Sequence, residues 1–183
     1  MPAPKTLETD RLLLRPWSES DAEQLYQHAS HPETGRGAGW PAHTSVAESR
    51  QIIRDILIPD RSNALVLKET GLLVGSATLK SHRISNLTDR ADECELGYWV
   101  ATDYWGLGIA TEAGNALLTH AFTDLGMRAV WCHSFLWNTR SQRVQEKLGF
   151  APHSETPALD DSPASITTLL TRQRWEEKAK AHS

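Results

Sequence analysis

Residues 104–113, Tyr104-Trp105-Gly106-Leu107-Gly108-Ile109-Ala110-Thr111-Glu112-Ala113, constrain the fold more than any other part of the chain. They follow a strand-like run, Glu93–Val100, and lead through two glycines into residues 108–124. There Ile109, Ala113, Ala116, Leu117 and Ala121 recur at helical spacing. A strand that ends in a glycine turn and opens directly into a helix is an anion-binding arrangement. The first helical N–H groups lack intrahelical partners and the helix dipole adds partial positive charge, so a pyrophosphate can be held by backbone alone. Glycine lets such a ligand come close. Taken alone, Gly-x-Gly before a helix is weak evidence, because the same glycines can serve only to shape a turn.

The rest of the chain supplies the context. Residues 6–15, with Leu7, Leu12, Leu13 and Leu14 before Pro16, read as a strand, and residues 18–31 as a capped helix. Gly35-Arg36-Gly37-Ala38-Gly39 reads as a loop that resembles a phosphate loop only in glycine content, since no Gly-Lys-Ser/Thr ending is present. Ser45 and Glu48 suggest a capping box for a helix carrying Ile52, Ile53, Ile56 and Leu57 and ending before Pro59. Residues 64–67 and 72–79 flank a turn and predict an antiparallel hairpin, followed by a polar loop over 81–92. Past the helix that Gly126 closes, Ala129–Phe135 predicts a strand, 141–147 a helix ended by Gly149, and 166–171 a last strand.

No repeat or second composition regime interrupts this order. With 183 residues, 39% of them hydrophobic, the expectation is one domain over 1–183, its core at about 6–175 and a polar tail, 176–183, that frays. A net charge of −4 offers no broad cationic footprint for nucleic acid. The start, Met1-Pro2-Ala3-Pro4-Lys5, lacks an apolar signal core and no stretch is long enough to span a bilayer, so a soluble cytoplasmic enzyme is expected. Cys94 and Cys132 are too few and too far apart for a zinc motif and read as buried, reduced thiols. His28 and His31 lack further ligands, and no metal is expected.

Alternation along Glu93–Val100 puts Glu93, Glu95, Gly97 and Trp99 on one face and Cys94, Leu96, Tyr98 and Val100 on the other. Two carboxylates sharing a partly buried face raise one another's pKa, which suits one of them to general-base work. The competing reading is two solvated carboxylates on an exposed sheet.

Four segments in order carry a resemblance over nearly the whole chain: Leu7-Glu8-Thr9-Asp10-Arg11-Leu12-Leu13-Leu14-Arg15; Glu93-Cys94-Glu95-Leu96-Gly97-Tyr98-Trp99-Val100 with the glycine turn; Asn138-Thr139-Arg140-Ser141; and Glu146-Lys147-Leu148-Gly149-Phe150. Together they resemble the Gcn5-related N-acetyltransferases (GNAT), in particular the ribosomal-protein alanine and serine acetyltransferase (RimJ/RimL-like) branch. The resemblance implies an α+β, three-layer fold: a mixed, mostly antiparallel central sheet of about seven strands with helices on both faces. It also implies acetyl-CoA as cosubstrate. Trp105, Gly106, Leu107, Gly108, Ile109, Ala110 and Thr111 would cradle the pyrophosphate, and backbone at Tyr98, Trp99 and Val100 would pair with the pantetheine amides. The thioester would lie between strands splaying near Val100 and Ala129.

By the same resemblance Glu95 is the first choice of base and Glu93 a residue that binds the acceptor amine. Asn138 would contact the cosubstrate near the thioester, and Ser141 would offer its hydroxyl to the departing sulfur; helix capping is the alternative for both. Arg140 and Arg143 suit either a 3′-phosphate or solvent. Trp105 stands where many members of the superfamily have Arg or Gln. Residues 151–165 depart from the branch's usual pattern, which bears on the acceptor pocket. The expected reaction is direct acetyl transfer to a primary amine, the N-terminal Ala or Ser of a ribosomal protein or else a small-molecule amine or antibiotic. A non-catalytic acyl-CoA-binding module is the alternative from another class. A dinucleotide-binding domain fails on the single Gly-x-Gly and the hairpin-rich order. Acceptor choice is assigned to residues 35–44, 81–92 and 151–165, and an exposed edge strand could support a homodimer.

Overall fold

The computed structural model describes residues 5–160 and 162–181. The chain divides into two compact units, one formed by residues up to Thr78 with Tyr98–Ala116, the other by Leu79–Gly97 with residues from Leu117 onward.

The first unit opens with β1 (Leu7–Glu8) and β2 (Leu12–Pro16) rather than the single strand expected over 6–15. The Thr9 amide donates to the Leu12 carbonyl at 2.9 Å and the Leu12 amide to the Thr9 hydroxyl at 2.9 Å, closing a turn that folds β1 back antiparallel on β2. β2 pairs in turn with β3 (Asn63–Leu67), and β3 with β4 (Leu73–Ser81). This unit holds α1 (Ala22–Ala29), α2 (Pro32–Arg36) and α3 (Val46–Ile52), the last continuing as a π-helical turn over Ile53–Leu57, and also the part, through Ala116, of the helix that follows the glycine turn. Leu25, Ala22 and Ala29 of α1 pack with Trp17, Ile53, Val66 and Leu73 into one buried cluster. The apolar stripe of the sequence is thus core.

The loop expected over 35–39 starts as helix, because Pro32 presets the first turn of α2 and carries it through Arg36. Gly35 serves packing: a Cβ there would stand 2.3 Å from the Trp40 carbonyl oxygen. At α3 the Glu48 amide donates to Ser45 at 3.1 Å, but the Glu48 carboxylate accepts from Thr44 instead of completing a capping box.

In the second unit β5 (Glu93–Val100, which continues into the first unit past Gly97) runs parallel to β6 (Ala129–Phe135), with Glu93 opposite Ala129 and Glu95 opposite Trp131. β8 (Ser165–Thr171) pairs antiparallel with β6 on one side and β7 (Ala151–Thr156) on the other. So residues 151–156, expected within an acceptor loop, form a strand. The eight strands among the described residues make one mixed sheet, ordered β1-β2-β3-β4-β5-β6-β8-β7; the turn at Thr9 and the strand over 151–156 supply the two beyond the six placed from sequence. α4 (Ile109–Thr119) follows the glycine turn and ends in a π-helical turn before Gly126, and α5 (Thr139–Leu148) ends at Gly149.

The polar tail does not fray at Trp175 but forms α6 (Arg172–Ala181). Trp175 lies 5.1 Å from the ring of buried Phe122, Arg172 donates to the Met127 carbonyl at 2.8 Å, and Arg174 to that of Gly149 at 2.7 Å. These anchors hold a segment whose own composition is too polar to signal burial. Cys94 and Cys132 are free, buried thiols, each pushed up to about 12 chiefly by burial and therefore un-ionised.

Candidate active site

The glycine turn lies in the first unit. β5 ends at Val100, a short 3₁₀ turn spans Thr102–Tyr104, and Trp105 leaves it extended. Gly106 and Gly108 have φ of +78° and +81°, a region that L-side chains avoid, so this path requires glycine at both positions. At Gly106 nothing lies within 4 Å of where a Cβ would stand. The first bond of the α4 ladder runs from the Glu112 amide to the Gly108 carbonyl at 3.0 Å, which leaves the amides of Ile109, Ala110 and Thr111 without intrahelical acceptors. The backbone thus fits an anion such as a diphosphate. The Trp105 indole folds back to donate to the Val100 carbonyl at 2.7 Å, taking up one backbone acceptor expected for pantetheine.

Neighbouring aromatics serve packing. Trp99 meets Trp40 edge-on at 5.8 Å beside the core cluster, and Tyr104 meets His28, whose Nε2 is 2.8 Å from the Leu73 carbonyl.

The carboxylates lie in the second unit and are not solvated: Glu93 is 4% and Glu95 8% exposed. Glu93 is saturated. Arg128 donates to Oε1 at 2.8 Å, Trp131 and Thr88 to Oε2 at 2.6 and 2.8 Å, and Arg90 lies 3.3 Å from Oε1. Burial pushes this carboxyl up, but the hydrogen bonds from Arg128, Trp131 and Thr88 and the Arg128 charge outweigh it, and the net shift is below the ordinary range. The expectation that the paired carboxylates raise each other's pKa fails at Glu93, because cations and donors surround it. Glu95 accepts from Lys80 at 2.9 Å and from the Ser85 hydroxyl at 2.8 Å, one bond to each oxygen. A carboxylate has about four acceptor sites, so two remain for substrate or water.

At the start of α5 the Asn138 side chain accepts from the Ser141 amide at 3.2 Å and is the helix cap. Ser141 is therefore not the cap. Its hydroxyl oxygen accepts from Gln145 Nε2 at 3.3 Å, while Gln145, almost fully buried, accepts from the Thr168 hydroxyl at 2.8 Å. Arg140 and Arg143 are exposed.

Sequence reasoning missed Lys80, Ser85, Arg128 and Trp131 around the carboxylates, and Gln145 with Thr168 behind Ser141. Each is an ordinary residue brought in by strand register, by a loop or, for Gln145, by helix packing, with no local signal of its own. No group of His, Cys, Asp and Glu among the described residues is arranged to hold a metal ion.

Residues 11–151 match the family model of the acetyltransferase (GNAT) domain. The chain belongs to the GNAT acetyltransferase family. This N-acetyltransferase is 30% identical over 152 residues to p20 of Bacillus licheniformis, described as an uncharacterized N-acetyltransferase, covering 80% of this chain and 82% of that protein. It is 29% identical over 144 residues to YdaF of Bacillus subtilis (strain 168), provisionally named a ribosomal N-acetyltransferase, covering 77% and 78%. The fold matches a GCN5-related N-acetyltransferase from Brucella melitensis with a TM-score of 0.84 at 17% identity, over 99% of this chain and 85% of that one. It also matches the aminoglycoside acetyltransferase AAC(6')-Ib, solved with coenzyme A, with a TM-score of 0.73 at 20% identity, over 92% and 99%. The family resemblance read from the four sequence segments is thereby borne out, as is the acetyl-transferring activity it implied. No helix among the described residues is long and apolar enough to cross a membrane.

Proposed function

We propose that this enzyme transfers the acetyl group of acetyl-CoA directly to the N-terminal amine of a protein, with the N-terminal Ala or Ser of a ribosomal protein as its first candidate acceptor, in the cytoplasm. The observation that carries the reading is the glycine pair at positive φ opening into the amide-rich start of α4, which suits a diphosphate. The provisional name of YdaF supports the acceptor class.

Acetyl-CoA supplies an acyl thioester whose carbonyl carbon is open to attack by a neutral amine. The backbone amides of residues 106 and 108–111 hold its diphosphate. Glu95, with two acceptor sites left, takes the proton that the amine nitrogen sheds, directly or through water. Ser141, its oxygen fixed by Gln145, gives the hydroxyl proton to the leaving sulfur and recovers one from solvent. The C–N bond forms as the C–S bond breaks, giving an amide and free coenzyme A. Glu93 acts through structure, since both its oxygens already accept from neighbouring donors.

Calorimetric titration with acetyl-CoA tests the cosubstrate, and NAD and free adenine nucleotides serve as controls; saturable binding far tighter than either control is expected, and its absence would sink the proposal. Release of coenzyme A is then followed with peptides starting in Ala or Ser, with small amines and with an aminoglycoside. Replacing Glu95 by Gln should leave acetyl-CoA binding intact and lower turnover by about 10²-fold or more. Turnover on aminoglycoside alone, or unchanged turnover in the variant, contradicts the acceptor or the base respectively.

A further inference from the structure

Behind the glycine turn, two residues far apart in the chain meet. Arg11, in the turn between β1 and β2, donates through Nη1 to the Leu107 carbonyl at 3.0 Å and through Nε to Glu112 Oε2 at 2.7 Å, with Nη2 2.6 Å from the same oxygen. The Arg11 backbone amide and the Thr9 hydroxyl both donate to Glu112 Oε1, at 3.0 and 2.6 Å. Both oxygens of Glu112 are occupied, and the guanidinium bridges the loop carbonyl to the first turn of α4. All of these residues belong to the first unit.

Two physical consequences follow. In a trans peptide unit the C=O and the next N–H point in opposite directions. Fixing the Leu107 carbonyl on Arg11 therefore turns the Gly108 amide away from Arg11, outward from the clasp. A loop with glycines at 106 and 108 is otherwise free to sample many conformations, and ordering it on binding costs conformational entropy. The clasp orders it beforehand. Second, a carboxylate in the first turn of a helix competes with any anion bound there. Burial pushes the Glu112 carboxyl up, but hydrogen bonds from Thr9 and Arg11 bring it below its ordinary range, so it stays ionised. Arg11 cancels that charge at close range.

We propose that Arg11 and Glu112 form a clasp that pre-sets the 106–111 loop for the diphosphate of acetyl-CoA, acting as positioning residues rather than as ligands. The inference rests on the reading of this loop as the diphosphate site and adds the device that readies it. It also gives two of the family-like sequence segments a shared role, because the Thr9-Asp10-Arg11 turn acts on the loop and helix start that contain Leu107 and Glu112.

The test uses the full chain with R11M, E112Q and the double variant, reading three quantities: the Kd of acetyl-CoA by calorimetry, the melting temperature without ligand, and hydrogen exchange of the amides at 106–111. Expected are a Kd weakened about tenfold or more in each single variant, faster exchange confined to the loop, and a double variant no weaker than the worse single one, since each removes the same device. A Kd within twofold of wild type would overturn the proposal. So would additive losses, or an affinity that falls only with a large drop in melting temperature and faster exchange throughout the chain, which would mark a role in global stability. Wild-type protein that fails to bind acetyl-CoA would instead overturn the reading of the loop itself, and the clasp with it.

Discussion

Replacing Glu93 by Gln separates the two carboxylates of β5 by their effects. Glu93 accepts hydrogen bonds from Arg128, Trp131 and Thr88 and forms an ion pair with Arg90. A glutamine offers one acceptor oxygen and one NH₂. Facing the oxygen toward Trp131 and Thr88 sets NH₂ against two guanidiniums, and the opposite orientation sets it against an indole N–H. At least one charge-assisted hydrogen bond is lost whichever way it turns, at about 1.5–3 kcal/mol. Breaking a buried pair by removing one partner costs about 3–5 kcal/mol. Arg128, however, is 63% exposed and solvent screens its charge, so about 2–3 kcal/mol is the expectation. For a chain of this size that lowers Tm by roughly 5–10 °C at neutral pH, readable by circular dichroism or by urea unfolding.

The pH dependence adds a sign. The Glu93 carboxyl is lowered in the folded protein, so its stabilisation is complete above the unfolded value of about 4.3 and is lost as pH falls through the lower folded value. The gap between wild type and variant should therefore close below about pH 4. A variant melting within about 1 °C of wild type at pH 7, where about 2–4 °C per kcal/mol is expected, would refute the structural role. A gap that persists unchanged in acid would refute the electrostatic part.

Further outcomes follow from single sites. Alanine at Gly106 meets no atom within 4 Å and costs only backbone strain, about 1–2 kcal/mol; acetyl-CoA affinity should fall severalfold as the loop leaves its path, measured by calorimetry. Cys94 and Cys132, buried and un-ionised, should resist a thiol reagent until denaturant is added; prompt labelling of the folded protein would contradict their burial. Phe122→Ala removes a fully buried ring packed on Trp175 and should cost about 3–5 kcal/mol, with α6 exchanging its amides faster than α1.

Much of this protein was legible in the sequence because the signals are local. Apolar runs marked β5 and β6, helical spacing marked α1 and α4, and Gly126 and Gly149 closed the helices where a left-handed residue is needed. The glycine turn announced its left-handed path into a helix start from ten consecutive residues, since positive φ and the first amides of a helix depend on near neighbours alone. The same local reasoning misread 35–36, 151–156 and the tail, where a proline-led turn, an edge pairing and anchors on Phe122, Met127 and Gly149 decide the outcome.

What no local pattern specifies is which polar groups meet. Arg11 reaches Glu112 across 101 positions, Arg128 reaches Glu93 across 35, Lys80 reaches Glu95 across 15, and Thr168 reaches Gln145 across 23. Strand register, helix packing and chain turns set these pairings, and a slip of one residue would send Lys80, Glu93, Glu95 or Thr168 to the opposite face of the sheet. The sequence determined that the chain carries a glycine turn opening into a helix and two acidic residues on one strand face. Only the tertiary structure decided that Glu93 is locked into an ionic cluster while Glu95 keeps open acceptor sites, because partners drawn from distant strands and loops fill the one and not the other.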